Sequence, residues 1–362
     1  MGFHMTSRMK AWAKALVLLT LGTVWLAPSR TRAEEPSAAL PPAPARLPQP
    51  GDEGPPAWGR YAGPVLDTRT LAWDADPLRR RSQRKAWTFV GAYTERYTAG
   101  FAIVDAGHTA TAFAYLHDRA TGRLREAHTL VPLGFPEGFQ AGAREPWRLS
   151  SLDGTWTLTP EGEGWRASFT GLQFSLSLEL GAAPRGMSVL APAQERPFHH
   201  TFKAAALPAR LAFQALGEQW SVPARGVLDF SKGYPPRNVF WNWASFVGTT
   251  EDGRTFGLNL TAEFNNALEN VLWLDGQPMP LGTALFRYTP ADVRKEWRLS
   301  TADGVLDVRF LPDGLREENI ALGVIESRFQ QPFGRFEGTL QLQGRTVRVS
   351  GSGVVEQHWA TW

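Results

Sequence analysis

Trp147-Arg-Leu-Ser-Ser-Leu-Asp-Gly154 returns 150 residues later as Trp297-Arg-Leu-Ser-Thr-Ala-Asp-Gly304. Three shorter matches keep the same order in both halves. Phe89-Val-Gly91 pairs with Phe246-Val-Gly248, Gly100-Phe-Ala-Ile-Val104 more loosely with Thr255-Phe-Gly-Leu-Asn-Leu260, and Gly226-Val-Leu-Asp229 with Gly353-Val-Val-Glu356. Convergent strand-and-turn composition accounts for a tripeptide match. It accounts poorly for eight residues with three collinear matches around them, so the chain reads as an internal duplication.

The copied unit is a β unit. Thr155-Trp-Thr-Leu-Thr159, Phe174-Ser-Leu-Ser-Leu-Glu-Leu180 and the stretches 305–310 and 339–343 alternate apolar and polar residues, the period of half-buried strands. Asp-Gly pairs at 153, 252, 275, 303 and 313 suit tight hairpin turns. No amphipathic pattern longer than two helical turns follows residue 57. The expected fold is all-β with few helices: two tandem antiparallel lobes over residues 57–232 and 233–362. Lobes of that size close into up-and-down barrels whose interior can hold one small ligand. A sandwich of the same strands is the alternative that periodicity leaves open.

Composition agrees and removes several function classes. The 362 residues are 43% apolar and include 15 Trp, 21 Phe and 35 Gly, enough for a core and rich in strand and turn formers. Zero Cys excludes disulfides, thiolate metal sites and a Cys nucleophile. Residues 1–33 read as a secretory signal peptide: Arg8, Lys10 and Lys14 precede an apolar stretch at 15–27 that ends in small residues. That stretch is too short to cross a bilayer. Residues 34–56, rich in Pro and Ala, read as a linker unable to form a core. The formal charge of +3 belongs to the leader; without it 33 basic face 35 acidic side chains, a net of −2. Nothing there calls for nucleic acid or anionic lipid as partner, and no integral membrane span remains after the signal. The expected location is periplasmic or secreted.

Lys85-Ala-Trp87, Thr201-Phe-Lys203, Leu228-Asp-Phe-Ser-Lys-Gly233, Trp241-Asn-Trp243, Gly257-Leu-Asn259, Glu269-Asn270, Gln331-Pro-Phe-Gly334 and Glu356-Gln-His-Trp359 form an ordered series. Together they resemble a bacterial family of unknown function, over nearly the whole chain after residue 57. That family is more distantly similar to the carotenoid hydratase type of double lipocalin-like protein. The resemblance implies a pair of calycin-type barrels and an apolar or amphipathic ligand, and brings no established reaction.

Residues two apart on a strand share a face. Glu356 and His358 therefore stand together as a candidate general acid–base pair, with Gln357 opposite. Asp229 holds the matching place in the first half, and two carboxylates from equivalent strands would form a catalytic couple if both reach one cavity. Trp241 and Trp243 share a face and are candidates for core and for pocket wall, with Asn242 on the other side. Glu269 and Asn270 precede an apolar run and could orient a ligand or complete a turn. Lys203 and Lys232, two of six lysines, are expected to be exposed. His199 and His200 are adjacent and should point to opposite faces, which argues against a shared metal. No metal or cofactor is expected, because no zinc, calcium or phosphate-loop pattern is present. Gly162-Glu-Gly164 reads as a hairpin turn.

Three functions follow from these residues. The first is an exported protein that binds a hydrophobic or amphipathic small molecule. The second is a cofactor-free hydratase, lyase or isomerase acting on an alkene. The third is a carbohydrate-binding or structural module with solvent-facing Trp rings.

Overall fold

The computed structural model describes residues 39–53, 56–133, 145–323 and 325–362; the leader expected over residues 1–33 lies outside them. The described chain is all-β, with one short α-helix, Pro77–Gln83, capped by the Asp76 side chain, and two 3-10 turns, Trp73–Ala75 and Asn265–Ala267. Two antiparallel sheets of twelve and nine strands make up the two lobes. No described helix is long and apolar enough to cross a membrane.

The first sheet runs from Arg123–Pro132 through Thr109–Asp118, Tyr97–Asp105, Lys85–Tyr93, Glu218–Gly233 and Arg196–Ala215 to the short strands ending at Trp147–Ser150. The second follows the same path, from Gln277–Pro280 through Val271–Leu274, Thr255–Ala262, Asn238–Thr250, Arg345–Thr361 and Ile325–Leu342. Each sheet curls on itself without pairing its two end strands, so the lobes are half-barrels. Their concave interiors are packed solid. One cluster centred on Val90, Phe101, Trp147, Trp156 and Phe169 fills the first lobe, and one on Phe246, Leu258, Trp297 and Phe336 fills the second. An interior hollow for a ligand, expected of a closed barrel, is replaced by large rings. The alternate residues of the same strands, including Phe89, Phe113, Tyr115, Trp243, Val271 and Phe333, form a third cluster shared by both lobes. This is the seam, where the outer faces of the two sheets meet.

Register identifies equivalent positions. Asp229 lies opposite Phe89, and Glu356 opposite Trp243. Aligning the two acids aligns Phe89 with Trp243 and Trp87 with Trp241. The Phe-Val-Gly match is thus out of step: Phe89 faces the seam, whereas Phe246 is buried inside the second lobe. The matched Trp-Arg-Leu-Ser segments each open a hairpin, as the copy suggests. Their offset of 150 falls to 127 at the last match. The first lobe has five strands between Trp147–Ser150 and Glu218–Gly233, where the second has two between Trp297–Thr301 and Arg345–Thr361.

Four of the five Asp-Gly pairs sit in turns. Asp313-Gly314 instead lies within Leu306–Leu322, at a register shift where the strand bulges. Glycine is needed there because a Cβ would stand 2.4 Å from the Phe333 ring. The 162–164 stretch is the hairpin turn expected. Part of the Pro/Ala-rich segment is not a free spacer: the amides of Ala43 and Leu47 donate to Ala62 and Asp67 carbonyls at 3.0 and 2.9 Å, and Leu47 is fully buried. Proline removes donors but leaves the intervening residues able to pair at an edge.

Candidate functional site

A cavity of about 140 Å³ lies in the seam. Its lining includes Asp229, Glu269, Glu356, His358, Trp241 and Trp243, six of the eight residues singled out from sequence. They come from both lobes, which explains how residues distant in the chain converge.

Strand alternation explains the inward aim. Thr201 and Lys203 share a face of Arg196–Ala215, and two residues beyond Lys203 the strand bulges, with Ala206 at φ 59°. Bulges re-aim neighbouring side chains and recur beside sites. Here the bulge brings Ala205 and Ala206 against Gly257 of the other lobe, where a Cβ would stand 2.8–3.0 Å from them. Lys203 is consequently buried, contrary to its expected exposure. Its Nζ lies 2.6 Å from Asp229 Oδ2 and 2.9 Å from Glu269 Oε2.

These three groups set one another's charge. Burial works against the Lys203 ammonium, yet Asp229 and Glu269 outweigh it and hold its pKa above the ordinary value. Burial also opposes ionisation of Glu269, but Lys203 and His199 hold that carboxyl below its usual range. Thr261 Oγ1 donates to Glu269 at 3.3 Å, and Asn265 donates to it as well. Asp229 has fewer partners. Burial pushes its carboxyl up to about 6 despite Lys203, with Glu269 and Glu356 adding to the rise. Its Oδ1 is buried and accepts no hydrogen bond.

Glu356 is held differently. Trp241 Nε1 donates to one carboxylate oxygen at 2.8 Å and Gln331 Nε2 to the other at 3.0 Å, while Tyr115 Oη donates to Gln331 at 3.1 Å. His358 shares the face of Glu356, as expected, but its Nδ1 is 3.6 Å from the carboxylate, beyond hydrogen-bond range. Its Nε2 is 2.8 Å from Ser327 Oγ. Gln331 lies across the ladder from Glu356 as Lys203 lies across from Asp229. The two lobes thus present the same pair of positions, ammonium and carboxylate in the first, amide and carboxylate in the second.

Rings form the walls. Trp87 stacks on Trp241, Phe89 meets Trp243 edge-on with centroids 5.3 Å apart, and Arg316 lays its guanidinium 3.8 Å over Phe113. Trp243 is buried, its Nε1 donating to Asn259 at 2.8 Å. Both tryptophans line the cavity, and Trp243 also belongs to the hydrophobic cluster of the seam.

Asn242 and Asn270 are not in the cavity. Asn242 points into the second lobe, donating to Tyr288 Oη and the Glu356 carbonyl at 2.9 and 3.2 Å. Asn270 ties a turn, accepting from the Thr261 amide and donating to the Gly282 carbonyl. Lys232 is also buried, in the first lobe, and desolvation lowers its pKa to about 7. His199 and His200 diverge as expected, one against Trp87 and the other against Phe230. Trp87 and Gln331 were visible only as members of quoted motifs. Arg316, fully buried at the cavity with Glu126 and Glu318 on its guanidinium, carried no sequence signal.

Comparison with solved structures finds distant likenesses. A crystal structure assigned as AttH from Nitrosomonas europaea is 15% identical, with 76% of this chain and 92% of that chain covered at a TM-score of 0.41. Kievitone hydratase from Nectria haematococca is 14% identical over 80% and 94% of the two chains, at 0.42. CghA with Sch210972 is 9% identical over 83% and 94%, at 0.39. No curated protein matches the chain. The profile described as Domain of unknown function (DUF2804) matches residues 57–362, and the chain belongs to that family.

Proposed function

We propose that the seam cavity binds a compact apolar or amphipathic molecule and exchanges a proton with it through Asp229. The observation that carries this is a buried carboxyl on the wall of an aromatic cavity, its Oδ1 without a hydrogen bond and its pKa pushed by burial up to about 6. A general acid works best with a pKa near the working pH. Glu356 has both oxygens engaged, so it serves to position Trp241.

Volume limits the ligand. About 140 Å³ is close to the roughly 150 Å³ void that holds one benzene, and below the roughly 300–1,000 Å³ of drug-sized sites. One ring or a short branched chain fits; a longer molecule leaves its remainder at the partly exposed edge near Ile320 and Ile325. In the reaction this supports, the π electrons of an alkene take the Asp229 proton to form a C–H bond. The adjacent carbon becomes cationic against the Trp rings. Water adds there and its surplus proton returns to the Asp229 carboxylate, giving net hydration; loss of a proton from a neighbouring carbon to that carboxylate gives an isomer. A saccharide platform fits less well, because Trp243 is buried and Trp241 is stacked on Trp87. The protein is taken to be exported, with residues 1–33 as its leader.

Native mass spectrometry of protein drawn from the cells that make it tests this reading. Asp229→Asn is expected to retain a small molecule that added wild-type protein hydrates or isomerises. Conversion by Asp229→Asn at the wild-type rate removes the catalytic role and leaves a binding protein. Preparations that carry no molecule remove the pocket reading.

A further inference from the structure

The cavity is short of positive charge. Five carboxylates line it (Asp229, Glu269, Glu318, Glu326 and Glu356) against the cations Lys203 and Arg316, with His358 as the remaining titratable group. Pairing removes little of this excess from the inner end. Arg316 is taken by Glu318 at 2.6 Å and by Glu126 at 3.1 Å, and Glu326 is largely exposed beside Arg328. Among the described lining residues, that leaves Lys203 as the cation for Asp229, Glu269 and Glu356. All three acids are buried and line the cavity, and Asp229 Oδ1 accepts no hydrogen bond.

Buried charge is costly unless matched by an opposite charge. The cavity lining holds more carboxylates than cations, together with the indole rings of Trp87, Trp241, Trp243 and Trp362. Indole faces attract cations most strongly of the aromatic side chains. Carboxylate surplus and indole walls together are the chemistry that recognises an organic ammonium group.

We infer that the seam cavity selects a positively charged ligand, a compact organic ammonium whose apolar part lies among the rings of Trp87, Trp241 and Trp243 and whose nitrogen faces Asp229. This rests on the pocket reading above and adds the charge of the ligand. Arg316 is ion-paired with two acids of its own, Glu318 and Glu126, and so adds no net positive charge, which disfavours an anionic ligand. The field that holds an ammonium also favours a carbocation formed at the same place.

Three one-ring probes of similar size and different charge test this on the whole protein: benzylammonium, benzyl alcohol and phenylacetate, titrated at pH 7.5 with indole fluorescence and calorimetry as readouts. Benzylammonium is expected to bind about tenfold or more tighter than benzyl alcohol, and phenylacetate weakest. Asp229→Asn should lower the ratio of benzylammonium affinity to benzyl alcohol affinity. Binding of benzyl alcohol or phenylacetate as tight as that of benzylammonium overturns the inference and leaves the pocket reading intact. Failure of all three probes to bind overturns both.

Discussion

Trp87 and Trp241 lie parallel across the seam, their ring planes 3° apart and centroids 6.3 Å apart. Each stands two residues before the next seam ring on its own strand, Phe89 or Trp243, and each belongs to the strand that pairs with its lobe's candidate acid, Asp229 or Glu356. The stack is one position of a duplicated unit meeting its copy, which explains why the cavity lies between the lobes. A surface that packs against its own duplicate has a pseudo-twofold relation built into it, and later divergence can make the two sides chemically unlike.

The stack should be measurable as a coupling. Trp87→Leu and Trp241→Leu each lose buried ring area and are expected to destabilise by about 2–4 kcal/mol. The double variant should be less destabilised than the sum by about 0.5–1.5 kcal/mol, the range for aromatic pairs. Urea unfolding of the four proteins measures this, and strict additivity would show that the rings are only neighbours.

Lys203 and Gln331 test the divergence of the halves. Lys203→Gln gives the first lobe the amide–carboxylate arrangement of the second, but Lys203 is the shared cation of Asp229 and Glu269. Breaking a buried ion pair from one side costs about 3–5 kcal/mol. That loss is expected at pH 7.5 and should shrink toward pH 5, where the Asp229 carboxyl, raised to about 6 in the native protein, takes up a proton. Thermal unfolding at the two pH values reads it; a penalty independent of pH contradicts the assignment.

Two buried lysines give stability an alkaline slope. Desolvation lowers both Lys85 and Lys232 to about 7, whereas an unfolded lysine titrates near 10.4. Between those values the unfolded chain binds the extra protons, so unfolding free energy rises with pH from about 7 to 10. Below 7 both states are protonated and this contribution is absent. Lys232→Met is expected to remove about one proton from the slope, measured by chemical denaturation at pH 7, 8 and 9. An unchanged slope places the charge elsewhere.

The strands were legible because alternation and duplication are local signals. Phe174-Ser-Leu-Ser-Leu-Glu-Leu180 alternates buried and half-buried residues throughout, as its sequence implies. The shared face of Glu356 and His358, and the opposed faces of His199 and His200, follow from the same period of two. The seam was not legible. Period two says which residues share a face, but not which of two apolar faces becomes the lobe interior and which meets the other lobe. The in-register partner of Phe89 is Trp243, a pairing hidden by the chance Phe-Val-Gly match. Lys203 was misjudged for a related reason: its two acids come from another strand and another lobe, and no local pattern announces a partner so far along the chain. Asn242 and Asn270 stand beside site residues, yet their amides serve backbone and turn.

A crystal of the whole protein pressurised with xenon locates the ligand cavity without any substrate being known. Xenon enters apolar cavities whatever their polar rim. The expected result is a site in the seam within contact of Trp241 and Trp243, beside Asp229. Xenon found only within the packed interior of either lobe, or at neither place, would contradict the account.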